Sequence, residues 1–117
     1  MSITQFLFSH HGRIPRSDYW LKYVVPYFIL YAITLFADGA LGMLDPATGI
    51  GITSGIFSLL ALYPSIVISI KRCHDRDRTG WFVLVAFIPL VNLWYLIEIM
   101  FLKGTTGSNK YGSDPLA

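Results

Sequence analysis

The side chains of this chain that could do chemistry lie in three short clusters. The first is Gly12-Arg13-Ile14-Pro15-Arg16-Ser17-Asp18-Tyr19-Trp20. The second is Lys71-Arg72-Cys73-His74-Asp75-Arg76-Asp77-Arg78-Thr79-Gly80-Trp81. The third runs from Gly104 to Pro115 and is rich in Gly, Thr, Ser and Asn. Guanidinium groups at Arg13, Arg16, Arg72 and Arg78 point to phosphate or carboxylate recognition, because the planar fork matches both geometries. His74 beside Asp75 suggests acid–base work, since a carboxylate can orient an imidazole. Adjacent residues rarely make that hydrogen bond well, and no serine has a recognisable nucleophile context. A metal site from His10, His11, His74, Asp75 and Asp77 has suitable ligand types. It lacks the helical spacing of a motif such as H-E-x-x-H, and Cys73 is the one thiol. No metal, no cofactor and no enzymatic activity are therefore expected. Two further polar residues, Asn92 and Glu98, stand inside an apolar segment. Intramembrane polar groups are functional candidates by default, so these two are the candidates for lining a pore.

What must position these clusters is set by the composition. Of 117 residues, 54% are apolar and 14% charged, where a soluble domain carries about 25% charged residues. Residues 23–37, 46–70 and 79–97 carry no charge at all. An apolar run of about 18 residues or more reads as a membrane span, so both a soluble domain and a disordered chain are excluded. The fold class expected is all-α: a polytopic membrane protein with three apolar segments, about 19–37, 50–70 and 81–102, forming a single integral domain over residues 1–117. Net charge is +2, too weak to imply nucleic acid. Cys73 excludes an internal disulfide, although its juxtamembrane position suits acylation. The first 20 residues lack the apolar core of a cleavable signal, about 7–15 residues long. The first segment is then expected to be the uncleaved insertion signal.

Each segment contains a proline, Pro26, Pro64 and Pro89, which withholds a helical donor and predicts kinked helices. Ser65 is placed to serve the carbonyl that Pro64 frees. Gly51, Gly55, Ala61, Ser65 and Ser69 form a small-residue stripe, read as a packing face within the bundle, with a homo-oligomer face as the alternative. Thr79-Gly80-Trp81 reads as the cap and aromatic anchor of the third segment. Residues 1–12 read as a short interfacial helix, and the glycine-rich tail as turns.

Lys and Arg in the flanks set orientation. The N-terminal flank holds Arg13, Arg16 and Lys22, the loop 38–50 holds none, the second loop holds Lys71, Arg72, Arg76 and Arg78, and the tail holds Lys103 and Lys110. An N-terminus in the cytoplasm puts the larger share inside. A straight third span would carry the tail outside. A fold-back at Pro89–Asn92 would return it to the cytoplasm, with arms of about 11 residues reaching roughly 16 Å each. The straight span is the leading expectation.

The order and spacing of the three clusters resemble the domain-of-unknown-function 805 family of small bacterial inner-membrane proteins. That family reads G-R-x-x-R-x-x-Y-W, then R-R-x-H-D-x-x-R-S-G-W-W, then G-T-x-G-x-N-x-Y/F-G-x-D-P. Gly12, Arg13, Arg16, Tyr19 and Trp20 fit the first; Arg72, His74, Asp75, Arg78, Gly80 and Trp81 fit the second. Gly104, Gly107, Asn109, Tyr111, Gly112, Asp114 and Pro115 fit the third. Departures are mild: Lys71, Thr79 and Phe82 replace Arg, Ser and Trp. The resemblance implies a bacterial plasma-membrane protein and no activity.

The function expected is a non-enzymatic membrane protein whose cytoplasmic Arg/His/Asp surface binds lipid headgroups or a partner protein. Arg13, Arg16, Arg72, His74, Asp75 and Arg78 are its candidate residues. The alternatives are an oligomeric channel or transporter component using Asn92 and Glu98, and a lipid-modifying enzyme using His74 and Asp75.

Overall fold

A computed structural model describes residues 2–48 and 50–116. The chain begins with α1 (Ile3–Phe8), capped by a reciprocal pair: the Ser2 hydroxyl accepts from the Gln5 amide, and the Gln5 side chain accepts from the Ser2 amide. Next, α2 (Arg16–Tyr19), a π-helical turn (Trp20–Val24) and α3 (Val25–Ala40) join into one continuous helix, Arg16–Ala40. The π turn has a local cause. Pro26, in the first turn of α3, has no N–H for the Lys22 carbonyl. The turn before it widens, and the Val25 amide donates to Trp20 instead.

The second long helix, α4 (Ile52–Asp75), runs unbroken through Pro64. Its start is held by Asp38, whose carboxylate accepts from the amides of Thr53 and Ser54 at 2.8 and 2.9 Å. Such a cap satisfies donors that every helix start leaves open. Gly51 makes the approach workable, because a Cβ there would fall within the Asp38 carboxylate. The helix that contains Asp38 continues to Ala40, past the end near residue 37 expected for the first segment.

Past the turn at 76–79, the third apolar segment is not one helix. It comprises a 3₁₀ helix (Gly80–Phe87), a turn at Ile88–Leu90 and α5 (Val91–Phe101). The arms lie side by side: the Phe82 ring meets Trp94 at 5.3 Å and Tyr95 at 5.4 Å. The hairpin also packs on α4. Leu90 takes a positive φ of 68°, a backbone region uncommon outside glycine, and this reverses the chain. The straight third segment is thus replaced by a fold-back, with Pro89 in its turn. Of the three mid-segment prolines, Pro89 is the one standing at a break between helices.

No β-strand occurs among the described residues, which hold two isolated bridges, Leu44–Gly51 and Asn109–Gly112. Arg16–Ala40 and Ile52–Asp75 are long and apolar enough to cross a membrane. The buried core sits at one end of the bundle, where Phe6, Ile14, Tyr19, Ile68, Cys73, Tyr95 and Ile99 meet. Elsewhere the helices turn large apolar side chains outward, Phe28, Phe36, Leu59 and Leu60 among them.

Candidate functional site

At that end all three polar clusters converge. The cause is visible in the fate of their cations, most of which donate to backbone carbonyls rather than to an open surface. The last carbonyls of a helix have no intrahelical donor and carry the negative end of its dipole. The end of α5 meets this need from outside. Arg72 Nε donates to Ile99 at 2.7 Å, and its Nη2 donates to Leu102. Trp20 Nε1 donates to Met100 at 2.6 Å, and Arg16 Nη1 to Phe101 at 2.7 Å. Arg76 donates to Lys103. Lys71 does the same for α1, donating to the Gln5 and Phe6 carbonyls.

Arg13 joins the N-terminal flank to the tail. It donates to Asp75 Oδ1 at 3.1 Å, to Thr105 at 2.6 Å, to Gly107 at 2.7 Å and to Gly112 at 3.2 Å. Asp75 also accepts from Arg72 Nη1 at 2.8 Å, so one buried carboxylate is shared by two buried guanidiniums. A charge in that position stays tolerable only with its partners in place. The Asp75 carbonyl accepts from the Thr105 amide at 2.7 Å. Gly104 permits this contact, since a Cβ there would collide with the Asp75 side chain and press on its carbonyl.

His74 is a second link. Its Nδ1 lies 3.0 Å from the Gly12 carbonyl. Its ring stacks on Tyr111 at 4.0 Å, 2° from parallel, and its carbonyl accepts from Asn109 Nδ2. It makes no acid–base pair with Asp75. The tail is ordered by turns, as its glycines suggest. Asp114 accepts from the Gly107 and Leu116 amides, both at 2.9 Å, and these hold its carboxyl below the usual carboxylate range. A lowered value favours the folded tail at neutral pH, and that contribution is lost as pH falls through the lowered value.

Arg78 and Glu98 form the third element. Arg78 Nε and Nη2 reach the two Glu98 oxygens at 2.7 and 3.3 Å, and Arg76 Nε lies 3.5 Å away. The Arg78 guanidinium also covers the Phe82 and Trp94 rings.

Each sequence candidate can now be placed. Arg13, Arg72, His74 and Asp75 are buried and come together. Arg16 is exposed, and Arg78 half-exposed. The second cluster is not all loop, because α4 continues through Asp75. Glu98 is buried against Arg78. Asn92 lies near the hairpin turn, six residues earlier in α5, or roughly 9 Å along the helix, so these two are not brought together. Cys73 is fully buried, which removes the thiol from acylation. Thr79 precedes the 3₁₀ helix without a side-chain cap bond. The Ser65 hydroxyl pairs with Tyr23, linking the π-helical turn to α4.

Asp38, Lys71 and Thr105 were not among the candidate site residues read from sequence. Asp38 carried a signal, being the acid that follows an uncharged run and precedes a glycine. Thr105 contributes backbone atoms, which its side chain does not advertise. Among the described residues no group of three or more His, Cys, Asp or Glu is arranged to hold a metal ion.

Comparison with known proteins finds relatives over nearly the whole chain. The chain is 33% identical to the inner membrane protein YhaH of Escherichia coli K12 over 104 residues, 89% of this chain and 84% of that one. It is 30% identical to the inner membrane protein YhaI of the same organism over 115 residues, covering 98% and 92% of the two chains. It is 31% identical to the uncharacterized protein YiiR over 140 residues, covering 97% and 90%. No solved structure matches. The inner-membrane relatives and the two span-length apolar helices make this an integral inner-membrane protein. Residues 7–113 match the family described as proteins of unknown function, DUF805, and the chain belongs to that family.

Proposed function

We propose that the protein is a non-enzymatic membrane protein that crosses the bilayer twice and keeps both termini in the cytoplasm. Its third apolar segment enters from the cytoplasmic side and turns back at mid-depth. One observation carries this reading: Arg13 of the N-terminal flank, Asp75 at the end of α4 and the tail carbonyls share one hydrogen-bonded cluster. They must then lie on one side of the membrane. The arms fit a half-depth hairpin. Eight 3₁₀ residues rise about 16 Å, and eleven α-helical residues rise about 16 Å. The hydrocarbon core is about 30 Å thick. All nine Lys and Arg then flank the cytoplasmic face, in keeping with the positive-inside tendency.

The buried motif arginines, Arg13 and Arg72, hold the cap together and leave headgroup contact to its rim. Arg16, Lys103 and Lys110 are exposed there, and each juxtamembrane cation contributes about 1 kcal/mol of attraction to an anionic leaflet. Glu98 closed against Arg78 favours this reading over a pore. The test extracts the protein with its surrounding lipid in polymer-bounded discs and measures phosphatidylglycerol enrichment. Changing Arg16, Lys103 and Lys110 together to Gln should bring enrichment down to the bulk level with the fold retained. Undiminished enrichment would overturn the headgroup role.

A further inference from the structure

Two cavities on the α3–α4 side share Leu7, Lys22 and Pro26, and so read as one groove with a polar and an apolar end. The polar end, about 710 Å³, lies between α1 and the start of the long first helix and includes Ser2, Asp18 and Lys22. The apolar end, about 270 Å³, continues between α3 and α4 past Tyr27, Leu30, Phe57 and Ala61. From Lys22 to Leu30 the helix rises about 12 Å, a length suited to one stretch of acyl chain. The floor is fixed rather than fluid. Tyr23 is hydrogen-bonded to Ser65, and the Tyr27 and Phe57 rings meet at 5.4 Å.

The mouth has charges of both signs. Lys22 Nζ lies 3.5 Å from Asp18 Oδ2, with both side chains substantially open to solvent. An exposed pair of this kind contributes little to the fold, so its partners can be exchanged. Arg13 also borders the polar end, but its donors are taken by Asp75 and the tail. The mouth therefore offers one available cation and one anion, four residues apart on a helix face. A purely anionic headgroup would meet Asp18 unfavourably.

The geometry points to a binding site in this groove for one phospholipid with a zwitterionic, primary-amine headgroup. Its phosphate takes Lys22, its ammonium takes Asp18, and one acyl chain lies between α3 and α4. The site is separate from the cap rim and uses none of the rim cations. It rests only on the transmembrane placement of α3 and α4.

The test is native mass spectrometry of the full chain after detergent extraction and exchange into defined lipid mixtures. Phosphatidylethanolamine should be retained at one copy per chain over phosphatidylcholine and phosphatidylglycerol. Lys22→Gln should weaken retention about fivefold, the effect of one headgroup cation. Asp18→Asn should abolish the preference for the amine over choline while leaving a lipid bound. Ala61→Phe should displace the chain. Because Ala61→Phe also bears on helix packing, the two mouth variants decide independently. Equal retention of all three lipids, or retention indifferent to both mouth variants, would overturn the proposal. The rim variant Arg16→Gln/Lys103→Gln/Lys110→Gln should leave this one-copy retention intact, which separates failure of this site from failure of the rim.

Discussion

Replacing Arg72 with Leu is expected to cost the protein about 3–5 kcal/mol of stability, the range for removing one partner of a buried ion pair. Arg72 is fully buried. Its three nitrogens hold the Ile99 and Leu102 carbonyls and Asp75. The substitution opens two carbonyls at the end of α5 and leaves Asp75 with Arg13 as its one remaining charge partner. Leucine fills much of the volume but donates nothing. Arg72→Lys should recover part of the loss, since an ammonium keeps the charge without the fork that spans these acceptors. Asp75→Asn added to Arg72→Leu should cost less than it does alone, because the two residues share the interaction being removed. Denaturant titration in mixed micelles, followed by tryptophan fluorescence, measures these differences. A loss within about 0.5 kcal/mol, typical of an unremarkable surface change, would contradict the role given to Arg72.

Arg13→Gln should release the tail while leaving the two long helices in place. Arg13 makes three bonds to tail carbonyls and one to Asp75, and a hydrogen bond to a charged group contributes about 1.5–3 kcal/mol. The loss of even one raises the population of the open tail about tenfold or more, since about 1.4 kcal/mol is a factor of ten. Lys103 and Lys110 are the sites at which trypsin would report it. Cleavage there should accelerate by at least that factor in inverted membrane vesicles. Anionic-lipid enrichment should stay unchanged, because Arg13 is not a rim cation. Cleavage at the parental rate would mean the tail is held by something other than Arg13.

The two long helices were legible from sequence because uncharged runs of their length have few other uses. The third segment was not, for a reason visible in its residues. Pro89 resembles Pro26 and Pro64 in sequence, yet α4 stays continuous at Pro64 and the chain reverses at Pro89. What distinguishes them is distant: Arg16 and Trp20 lie 85 and 80 residues from the carbonyls they satisfy. No local pattern records that pairing. The end of α4 was misjudged on similar grounds. Lys71 to Asp75 look like loop because they are mostly polar, but the Lys71 and Arg72 side chains find acceptors in α1 and at the end of α5, and the His74 and Asp75 carbonyls find donors in the tail, so the helix can continue. By type the arginines read as anion seekers. Their acceptors are mostly backbone carbonyls, which every residue carries and no sequence singles out. The family motifs name residues without their use: Gly104, for example, is explained by how closely the chain passes Asp75.

The common claim beneath these expectations is that the N-terminal flank, the end of α4 and the tail lie on one side of the membrane. Its most direct measurement is cysteine accessibility in intact cells and in inverted vesicles, with Cys73 changed to Ala and single cysteines placed at Ser17, Thr48 and Ser113. A membrane-impermeant maleimide should label Ser17→Cys and Ser113→Cys only in inverted vesicles, and Thr48→Cys only in intact cells. Labelling of Ser113→Cys from outside intact cells would contradict the account, since a tail on that side could not reach Arg13.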